Sequence, residues 1–337
     1  MDAKTGIASA ALGVVVGVAI ATLAATSLRK LRCNEKKKVK QPCASVQKPS
    51  PSTACSSFAE GKKCLLKDPT TKHEIRFVKK KALTPDTKVF RFKLPNSDEI
   101  LGCPVGKYVI FTAIIDGQVR TRPYTPISQV TEKGYVEFVI KIYYPNADFP
   151  RGGIFSQYLD SLKKDDLVSI NGPQGMFEYG GEGRVIAAVS GESSSTGQKM
   201  RETRYSCLGM VTGGSGITPM YQIIKAVLTN PKDTTKIVLL YTSRDDKNII
   251  LKRELDTFQE RYDDRFTVHY VVNNAAKDST LIEGPITEDL IKEKMPAAAD
   301  DVAAFISGPP EMVNFVCVPG IDGAGYHQDH TYIFWYR

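Results

Sequence analysis

The chain has 337 residues, of which 42% are hydrophobic and 24% charged, a composition that excludes a disordered or fibrous protein and favours two globular domains. Its net charge of +8 comes mostly from residues 29–40, where seven basic residues and one acid supply +6. The remainder is close to neutral, so the charge does not indicate a nucleic-acid partner.

Residues 6–28 form a stretch of 23 residues without any charge, rich in Ala, Val, Leu and Ile. About 20 such residues span a bilayer, and a basic cluster on the carboxyl side predicts that this side stays in the cytosol. A cleavable signal peptide and a buried core helix are the alternatives. We interpret residues 1–28 as a transmembrane anchor, and residues 29–64 as a basic, flexible linker.

The seven cysteines are an odd number without any C-x-x-C spacing. This pattern predicts neither a disulfide framework nor a zinc site. His327 and His330 stand close together near the end of the chain, but without further neighbouring ligands they predict no metal site.

Residues 65–180 are predicted to form an antiparallel β-barrel, because short runs rich in Val, Ile, Phe and Tyr are separated by turn residues. One helix, residues 154–162, interrupts the strands. A motif at residues 122–128 is placed at the start of a further strand. The predicted strands are residues 73–83, 88–94, 108–115, 135–142 and 167–171.

Residues 181–337 are predicted to form an α/β domain, because strands alternate with helices from about residue 185 onward. This pattern indicates an open parallel sheet with helices on both faces, whose ligands lie at the carboxyl ends of the strands. Residues 191–204 are polar and aperiodic, which predicts a surface loop or disorder. The predicted strands are residues 208–211, 236–242, 266–272 and 302–307, and the predicted helices are residues 219–228, 249–261, 287–294 and 309–316.

A cluster of three glycines, Gly213-Gly214-Ser215-Gly216, joins a predicted strand to a predicted helix. Glycines let the backbone approach a pyrophosphate, and the free N–H groups at a helix start bind it. Thr218 is a candidate N-cap, and Pro219 suits the first helical turn. Because the spacing is not G-x-G-x-x-G, a helix start that binds nothing is the alternative.

Two further motifs lie in the barrel. In Arg122-Pro-Tyr-Thr125 the arginine can bind a pyrophosphate and the tyrosine can pack on a flat ring, and alternation places Arg122 and Tyr124 on one face of the strand. Ser156 and the N–H groups of the helix start after Arg151-Gly-Gly153 can hold a phosphate. The alternatives are an edge strand with a chance Arg–Tyr pair and a plain helical turn.

Five motifs, at residues 122–125, 152–156, 172–177, 213–219 and 307–312, follow one another in an order that resembles the NADH-cytochrome b5 reductase group of the ferredoxin–NADP reductase-like flavoenzymes. The resemblance extends over nearly all of residues 65–337. It implies FAD and NADH as cofactors and cytochrome b5 or a similar small haem protein as the electron acceptor. It also implies a monomer anchored at the mitochondrial outer membrane or the endoplasmic reticulum, with its body in the cytosol.

The resemblance also implies roles for individual residues. Thr218 and Ser307 would be the catalytic residues, beside the flavin and the nicotinamide. The implied FAD contacts are Arg122, Pro123, Tyr124, Thr125, Val139, Lys141, Tyr143, Gly153, Phe155 and Ser156. The implied contacts of the nicotinamide nucleotide are Gly213, Gly214, Ser215, Gly216, Thr218, Gly308, Pro309 and Met312.

The chain departs from the family pattern at two positions. Ser307 replaces the usual Cys before Gly-Pro-Pro, from which we expect slowed turnover rather than its loss. Ile154 replaces a Lys that many relatives carry after the glycines. The residues Asn273 and Asn274, after a predicted strand, carry no charge that selects between NADH and NADPH, so only the resemblance favours NADH. The tail aromatics, which shield the flavin or belong to the core, are Tyr332, Phe334, Trp335 and Tyr336.

The sequence is therefore interpreted as a reductase that takes a hydride from NADH onto FAD and passes electrons singly to cytochrome b5. A related flavin reductase for a quinone or a ferric chelate is one alternative, and a non-catalytic membrane module that binds NADH or flavin is another. Complementary charge would guide an acidic partner. The candidate docking residues are Lys79, Lys80, Lys81, Lys163 and Lys164.

Overall fold

The structure is a computed structural model that describes residues 61–194 and 197–334. The predicted anchor, most of the predicted linker, and the tail residues Trp335 and Tyr336 lie outside the described residues. Within the described part of the chain, no helix is both long and apolar enough to cross a membrane.

The first lobe is a six-stranded antiparallel sheet in the order β4-β3-β6-β1-β2-β5, and a single helix, α1 (Ile154–Ser161), lies among its strands in the sequence. All five strands predicted for this lobe are present, with ends shifted by up to three residues. The strands are β1 (His73–Thr84), β2 (Thr87–Lys93), β3 (Tyr108–Ile115), β4 (Gln118–Tyr124), β5 (Tyr135–Lys141) and β6 (Leu167–Gln174).

Alternation along these strands builds the core of the first lobe. In β3, Val109, Phe111 and Ala113 point inward and are buried, as a period of two requires. The ring of Phe111 meets Phe138 edge to face at 4.9 Å and Phe92 at 5.6 Å between centroids. These aromatic contacts between β2, β3 and β5 close the sheet around one apolar interior.

The second lobe is a six-stranded parallel sheet in the order β13-β12-β11-β10-β14-β15, as the sequence predicted. Its strands are β10 (Cys207–Gly213), β11 (Lys236–Asp245), β12 (Phe266–Asn274), β13 (Ile282–Glu283), β14 (Val302–Ser307) and β15 (Thr331–Phe334). Its helices are α2 (Ile217–Thr229), α3 (Lys252–Arg261), α4 (Glu288–Lys294), α5 (Pro310–Met312) and α6 (Val318–Gly323), and a π-helical turn, Val313–Cys317, joins the last two.

Helices cover both faces of this parallel sheet, because successive residues of β10 point to opposite sides. Met210 packs in one core cluster with Ile223 of α2 and Leu255 of α3. Val211 packs in a separate cluster with Ile291 of α4. The predicted two-faced arrangement is therefore confirmed.

A three-stranded antiparallel sheet joins the two lobes, and it corrects the prediction for residues 191–204. Its strands are β7 (Phe177–Gly181), β8 (Arg184–Ser194) and β9 (Gly197–Arg204). The prediction of a surface loop or disorder was wrong, because β8 and β9 pair in register at Ala187 with Arg201 and at Ala188 with Met200. The ladder bonds are made by the backbone, so a hairpin can form without an apolar pattern in its side chains.

Two predicted boundaries also change. The motif at residues 122–128 was placed at the start of a strand, but β4 ends at Tyr124, so Arg122 lies near its carboxyl end. The helix predicted over residues 249–261 begins only at Lys252, because Leu251 adopts a left-handed conformation with φ of 60°, which a helix cannot continue.

One of the buried hydrophobic clusters includes residues of both lobes. Val105, Ile127 and Val139 of the first lobe belong to the same buried cluster as Ile217 and Ile224 of α2. Helix α2 therefore packs against the barrel as well as against its own sheet, and this contact fixes the orientation of the two lobes.

Candidate active site

The carboxyl ends of β10 and β14 lie side by side, since Thr212 pairs with Ser307 in the parallel ladder. The glycine turn after β10 packs directly on the backbone after β14. A Cβ atom at Gly216 would lie 2.8 Å from both the Ser307 carbonyl oxygen and the Gly308 nitrogen. Only glycine permits this approach, so the two nucleotide motifs of the second lobe form one continuous surface.

Side chains after β14 complete this surface. A Cβ atom at Gly213 would lie 2.7 Å from Met312 Sδ and 3.1 Å from Pro309 Cδ. The structure thus brings together all of the residues predicted to bind the nicotinamide nucleotide. They lie at the rim of the sheet, where parallel α/β sheets bind their ligands.

The turn leads into α2 through a short 3-10 helix, Gly214–Gly216, and α2 begins at Ile217. Thr218 was predicted as a candidate N-cap, and this was wrong. Its Oγ1 donates a hydrogen bond to the Ser215 carbonyl oxygen at 3.2 Å, and the N-cap residue, Gly216, has no side chain. Thr218 therefore stabilises the turn, while Pro219 lies in the first helical turn as predicted.

Two buried hydroxyl groups lie at this rim. Within the described residues, Thr212 Oγ1 and Ser307 Oγ have no hydrogen-bond partner, although both side chains are almost fully buried. The cross-strand pairing places them next to each other. An unsatisfied buried hydroxyl costs about 1–3 kcal/mol and is rare in protein interiors, so its position at a ligand rim indicates a functional site.

The first lobe contributes an aromatic and basic cluster at the end of β4. Tyr124 lies 5.1 Å from Phe111 and 6.3 Å from Phe155 of α1, between ring centroids. Burial raises the pKa of the Tyr124 phenol, so the group stays neutral. The Arg122 side chain is exposed, and its Nη1 donates to the Thr121 carbonyl oxygen at 2.7 Å, which leaves most of its donors available for an anion.

Two hydrogen bonds connect the N-terminus of α1 to Tyr143, just after β5, and a third lies within the start of the helix. Gly153 N donates to the Tyr143 carbonyl oxygen at 2.7 Å, Tyr143 N donates to Ser156 Oγ at 3.1 Å, and Ser156 Oγ donates to the Gly153 carbonyl oxygen at 2.8 Å. The Ser156 hydroxyl is therefore already engaged with the backbone. The N–H groups of the first turn of α1 are the stronger candidates for binding a pyrophosphate.

A charged cluster crosses between the lobes beside these residues. Asp86 Oδ2 forms ion pairs with Lys141 Nζ at 3.3 Å and with Arg244 Nη2 at 3.7 Å. The Lys141 ammonium also lies 5.9 Å from the centre of the Tyr143 ring. The side chain of Val139, on the same strand, is buried in the cluster at the junction of the lobes.

Two further predicted contacts of the first lobe lie in the same region. Pro123 pairs with Ile110 in the β3–β4 ladder, and Thr125 is buried directly after the end of β4. The predicted FAD contacts thus come from three neighbouring segments, the ends of β4 and β5 and the start of α1.

Sequence reasoning missed the acids at the carboxyl end of β11. Asp245 is the last residue of β11, the strand next to β10, and Asp246 follows it. An acid that binds a nucleotide ribose is expected at this position. The Asp246 carboxylate accepts bonds from Ser279 Oγ at 2.7 Å and Ala276 N at 3.0 Å, and these bonds lower its pKa. The missed signal was an acid pair after the strand adjacent to the glycine turn.

The described tail aromatics pack against the rest of the protein. Phe334 lies 5.1 Å from Phe177 and Tyr332 lies 5.4 Å from Phe305, between ring centroids. The hydroxyls of Tyr332 and Tyr205 are 2.8 Å apart. Tyr332 and Phe334 are half-buried and line a cavity of about 330 Å³. The alternative that these two aromatics belong to the core is therefore supported.

Of the five predicted docking lysines, Lys80 forms an ion pair and the other four are exposed. Lys80 Nζ pairs with Asp160 at 3.0 Å. The exposed ones are Lys79, Lys81, Lys163 and Lys164.

Together the two lobes present what a dinucleotide and a flavin require. Each lobe has a helix N-terminus that can bind phosphate groups. The first lobe adds an exposed guanidinium and an aromatic ring, and the second adds a glycine surface and two buried hydroxyls. The residues present therefore fit FAD on the first lobe and NADH on the second.

Comparisons with known proteins agree with this assignment. Residues 74–179 match the sequence model of the oxidoreductase FAD-binding domain, and residues 210–318 match that of the oxidoreductase NAD-binding domain. The human protein "NADH-cytochrome b5 reductase 1" is 40% identical over 271 residues, which are 80% of this chain and 87% of that protein. The mouse protein "NADH-cytochrome b5 reductase 3" is 34% identical over 80% of this chain and 88% of that protein.

Among solved structures, the chain is similar to the cytochrome b5 reductase domain of the nitrate reductase of Ulva prolifera. The TM-score is 0.73 at 30% sequence identity, and the match covers 79% of this chain and 98% of that domain.

Proposed function

The chain belongs to the NADH-cytochrome b5 reductase family and is an FAD- and NADH-dependent oxidoreductase, and from this premise we propose that it passes electrons singly to cytochrome b5 or a similar small haem protein. What supports the proposal most directly is the alignment over 87% of the human relative. The surface of this protein determines which electron acceptor can bind.

Bound FAD supplies the redox chemistry, the acceptance of a hydride and the release of single electrons. The residues of this chain bind and orient the two cofactors. Arg122 and the N-terminus of α1 receive the FAD pyrophosphate, and Tyr124 packs beside the ring system. The glycine surface formed by Gly213, Gly216 and Gly308 holds the nicotinamide nucleotide.

In this arrangement Ser307 would lie beside the nicotinamide. Its hydroxyl is buried and has no partner within the described residues, so it remains available to a polar group of a bound cofactor. The role that we propose for Ser307 is to adjust the position of the nicotinamide, since no acid or base is required for hydride transfer itself.

An acidic partner is expected to dock through charge. Lys79 and Lys81 project from β1, and Lys163 and Lys164 follow α1; all four are exposed. Complementary charge raises the association rate and fixes the register of a partner. The rate of electron transfer to the partner should therefore fall steeply as the salt concentration rises.

The test begins with the visible spectrum of the purified full-length chain and an anaerobic titration with NADH and then NADPH. We expect a yellow protein that NADH bleaches rapidly and NADPH bleaches slowly. The reduced protein is then mixed with cytochrome b5, with a soluble quinone and with a ferric chelate. Faster oxidation by the quinone or the chelate than by cytochrome b5 would replace the proposed acceptor. A colourless protein that takes up no FAD would favour the non-catalytic module.

We further propose that residues 1–28 anchor the enzyme in the mitochondrial outer membrane or the endoplasmic reticulum, with its body in the cytosol. The uncharged stretch of 23 residues and the basic cluster that follows support this. In a flotation assay with vesicles of neutral lipid, the full chain should float and a chain that starts at residue 51 should not. Equal behaviour of the two chains would contradict the anchor.

A further inference from the structure

Two polar side chains on one face of α2 bind the backbone of the first lobe. Gln222 Oε1 accepts a hydrogen bond from Gly106 N at 2.6 Å, in a fully buried position 116 residues away in the sequence. Three residues further along α2, Lys225 Nζ donates to the Ile127 carbonyl oxygen at 3.1 Å. We call these two contacts the α2 latch.

The latch acts on the nucleotide site because α2 continues directly from the glycine turn. At 1.5 Å per residue, Gln222 and Lys225 lie roughly 10 Å along the helix from that turn, and a helix transmits displacement over such a distance as a rigid rod. The turn cannot adjust on its own, since Gly216 is already in contact with Ser307 and Gly308.

The backbone at Gly106, which donates the hydrogen bond to Gln222, is also closely packed. Gly106 has φ of 91°, and a Cβ atom there would lie 2.4 Å from the ring of Phe177, so its loop packs closely against β7. Just beyond the end of α2, Asp233 Oδ2 accepts a bond from Tyr179 Oη at 2.7 Å. The middle of α2 is thus bonded to the first lobe, and the loop that follows α2 is bonded to β7.

We propose that Gln222 and Lys225 are positioning residues for hydride transfer. They hold the glycine turn, and with it the nicotinamide, at the distance from the flavin that the reaction needs. The proposal rests on the NADH-dependent reduction of FAD and not on the choice of electron acceptor. Because a misplacement of about 1 Å can slow a reaction about 100-fold, a latch far from the reacting atoms can control the rate.

The test replaces Gln222 with methionine, which keeps the length of the side chain and removes its acceptor. Stopped-flow measurements on the FAD-loaded protein follow reduction by NADH and by NADH deuterated at C4. We expect Gln222→Met to be reduced about tenfold more slowly, with a larger isotope effect. Its FAD content and its reoxidation by ferricyanide, which needs no nicotinamide, should stay unchanged. Gln222→Glu keeps an acceptor for Gly106 N and should retain most of the rate.

The chain offers a matched control. Gln259 Oε1 accepts a bond from Val268 N at 2.7 Å, again from a helix to a backbone N–H, but wholly within the second lobe. Gln259→Met should therefore be reduced at the rate of the unchanged protein. If Gln222→Met does not fold, Lys225→Met carries the same expectation, with Lys225→Arg as the conservative variant.

A normal reduction rate and isotope effect in Gln222→Met would overturn the proposal. Equal slowing in Gln222→Met and Gln259→Met would overturn it as well, because the effect would then be a general loosening. Failure of NADH to reduce the unchanged protein would be a different result, since it would contradict the activity on which the proposal rests. If cytochrome b5 does not accept electrons from the protein, the proposal for the α2 latch is unaffected.

Discussion

At the scale of single residues, Ser307 and Thr212 are unusual because each buries a hydroxyl that has no partner within the described residues. Stability alone would replace such groups with apolar ones. They lie at the ends of β10 and β14, next to the glycine surface proposed to bind the nicotinamide nucleotide, where a polar atom without a partner can serve a ligand.

We predict that Ser307→Cys speeds the reduction of the flavin by NADH, because a polarizable thiol replaces a hydroxyl at the proposed nicotinamide site. The substitution should also stabilise the protein by about 1 kcal/mol, since a thiol tolerates burial without a partner. Stopped-flow reduction and thermal unfolding measure the two effects.

Thr212→Val is the control for that prediction, because it removes the neighbouring orphaned hydroxyl without changing the shape of the side chain. It should stabilise the protein by a similar amount and leave the reduction rate unchanged. A Ser307→Cys protein that gains stability but no rate would contradict a kinetic role for Ser307.

At the scale of elements, α1 is held at both ends. Near its N-terminus, Ser156 is hydrogen-bonded to Tyr143. Near its C-terminus, Asp160 forms ion pairs with Lys88 at 2.7 Å and with Lys80 at 3.0 Å. Burial alone would raise the pKa of Asp160, but the bonds from Lys88 and Lys80 outweigh it and lower that pKa below 3.8. The ion pairs therefore persist above about pH 4 and are lost as the pH falls through the lowered value.

We predict that Asp160→Asn weakens FAD binding about fivefold, a factor consistent with partly exposed ion pairs. The reason is that α1 can then shift at the end opposite its phosphate-binding N-terminus. Titration of the flavin-free protein with FAD, followed by flavin fluorescence, measures the change. Asp256→Asn on α3, which breaks the ion pair with Lys252 at 2.7 Å, is the matched control and should leave FAD affinity unchanged.

The elements also show where prediction from sequence succeeds and where it stops. Five strands of the first sheet and four of the second were predicted because alternating or continuous apolar runs reflect local burial. The short strands β13 and β15 were not predicted. The β8–β9 hairpin was missed because its bonds are made by backbone atoms under polar side chains. The contact of Gln222 with Gly106 could not be predicted either, since it joins residues 116 positions apart and depends on how the lobes pack.

At the scale of the whole molecule, the two lobes cannot be separate folding units. Val105, Ile127 and Val139 of the first lobe share a buried cluster with α2, so separating the lobes would expose apolar surface on both. The described residues of both lobes accordingly belong to one compact unit.

We predict that the FAD-loaded protein unfolds in a single cooperative transition. Calorimetry should give one peak, and removal of FAD should lower the midpoint of that one peak, since a ligand stabilises every part that unfolds with its site. Two resolved peaks, only one of which responds to FAD, would show that the shared cluster does not couple the lobes.

The shared cluster has a consequence for protein engineering. A chimera that joins this barrel to the nucleotide-binding half of a relative is usually cut at the boundary in the sequence, here near residue 180. The structural boundary lies elsewhere, along the face of α2 that contacts the barrel. A functional hybrid would have to carry Val105, Ile127 and Val139 together with the helix they contact, so the unit of exchange is an interface rather than a segment.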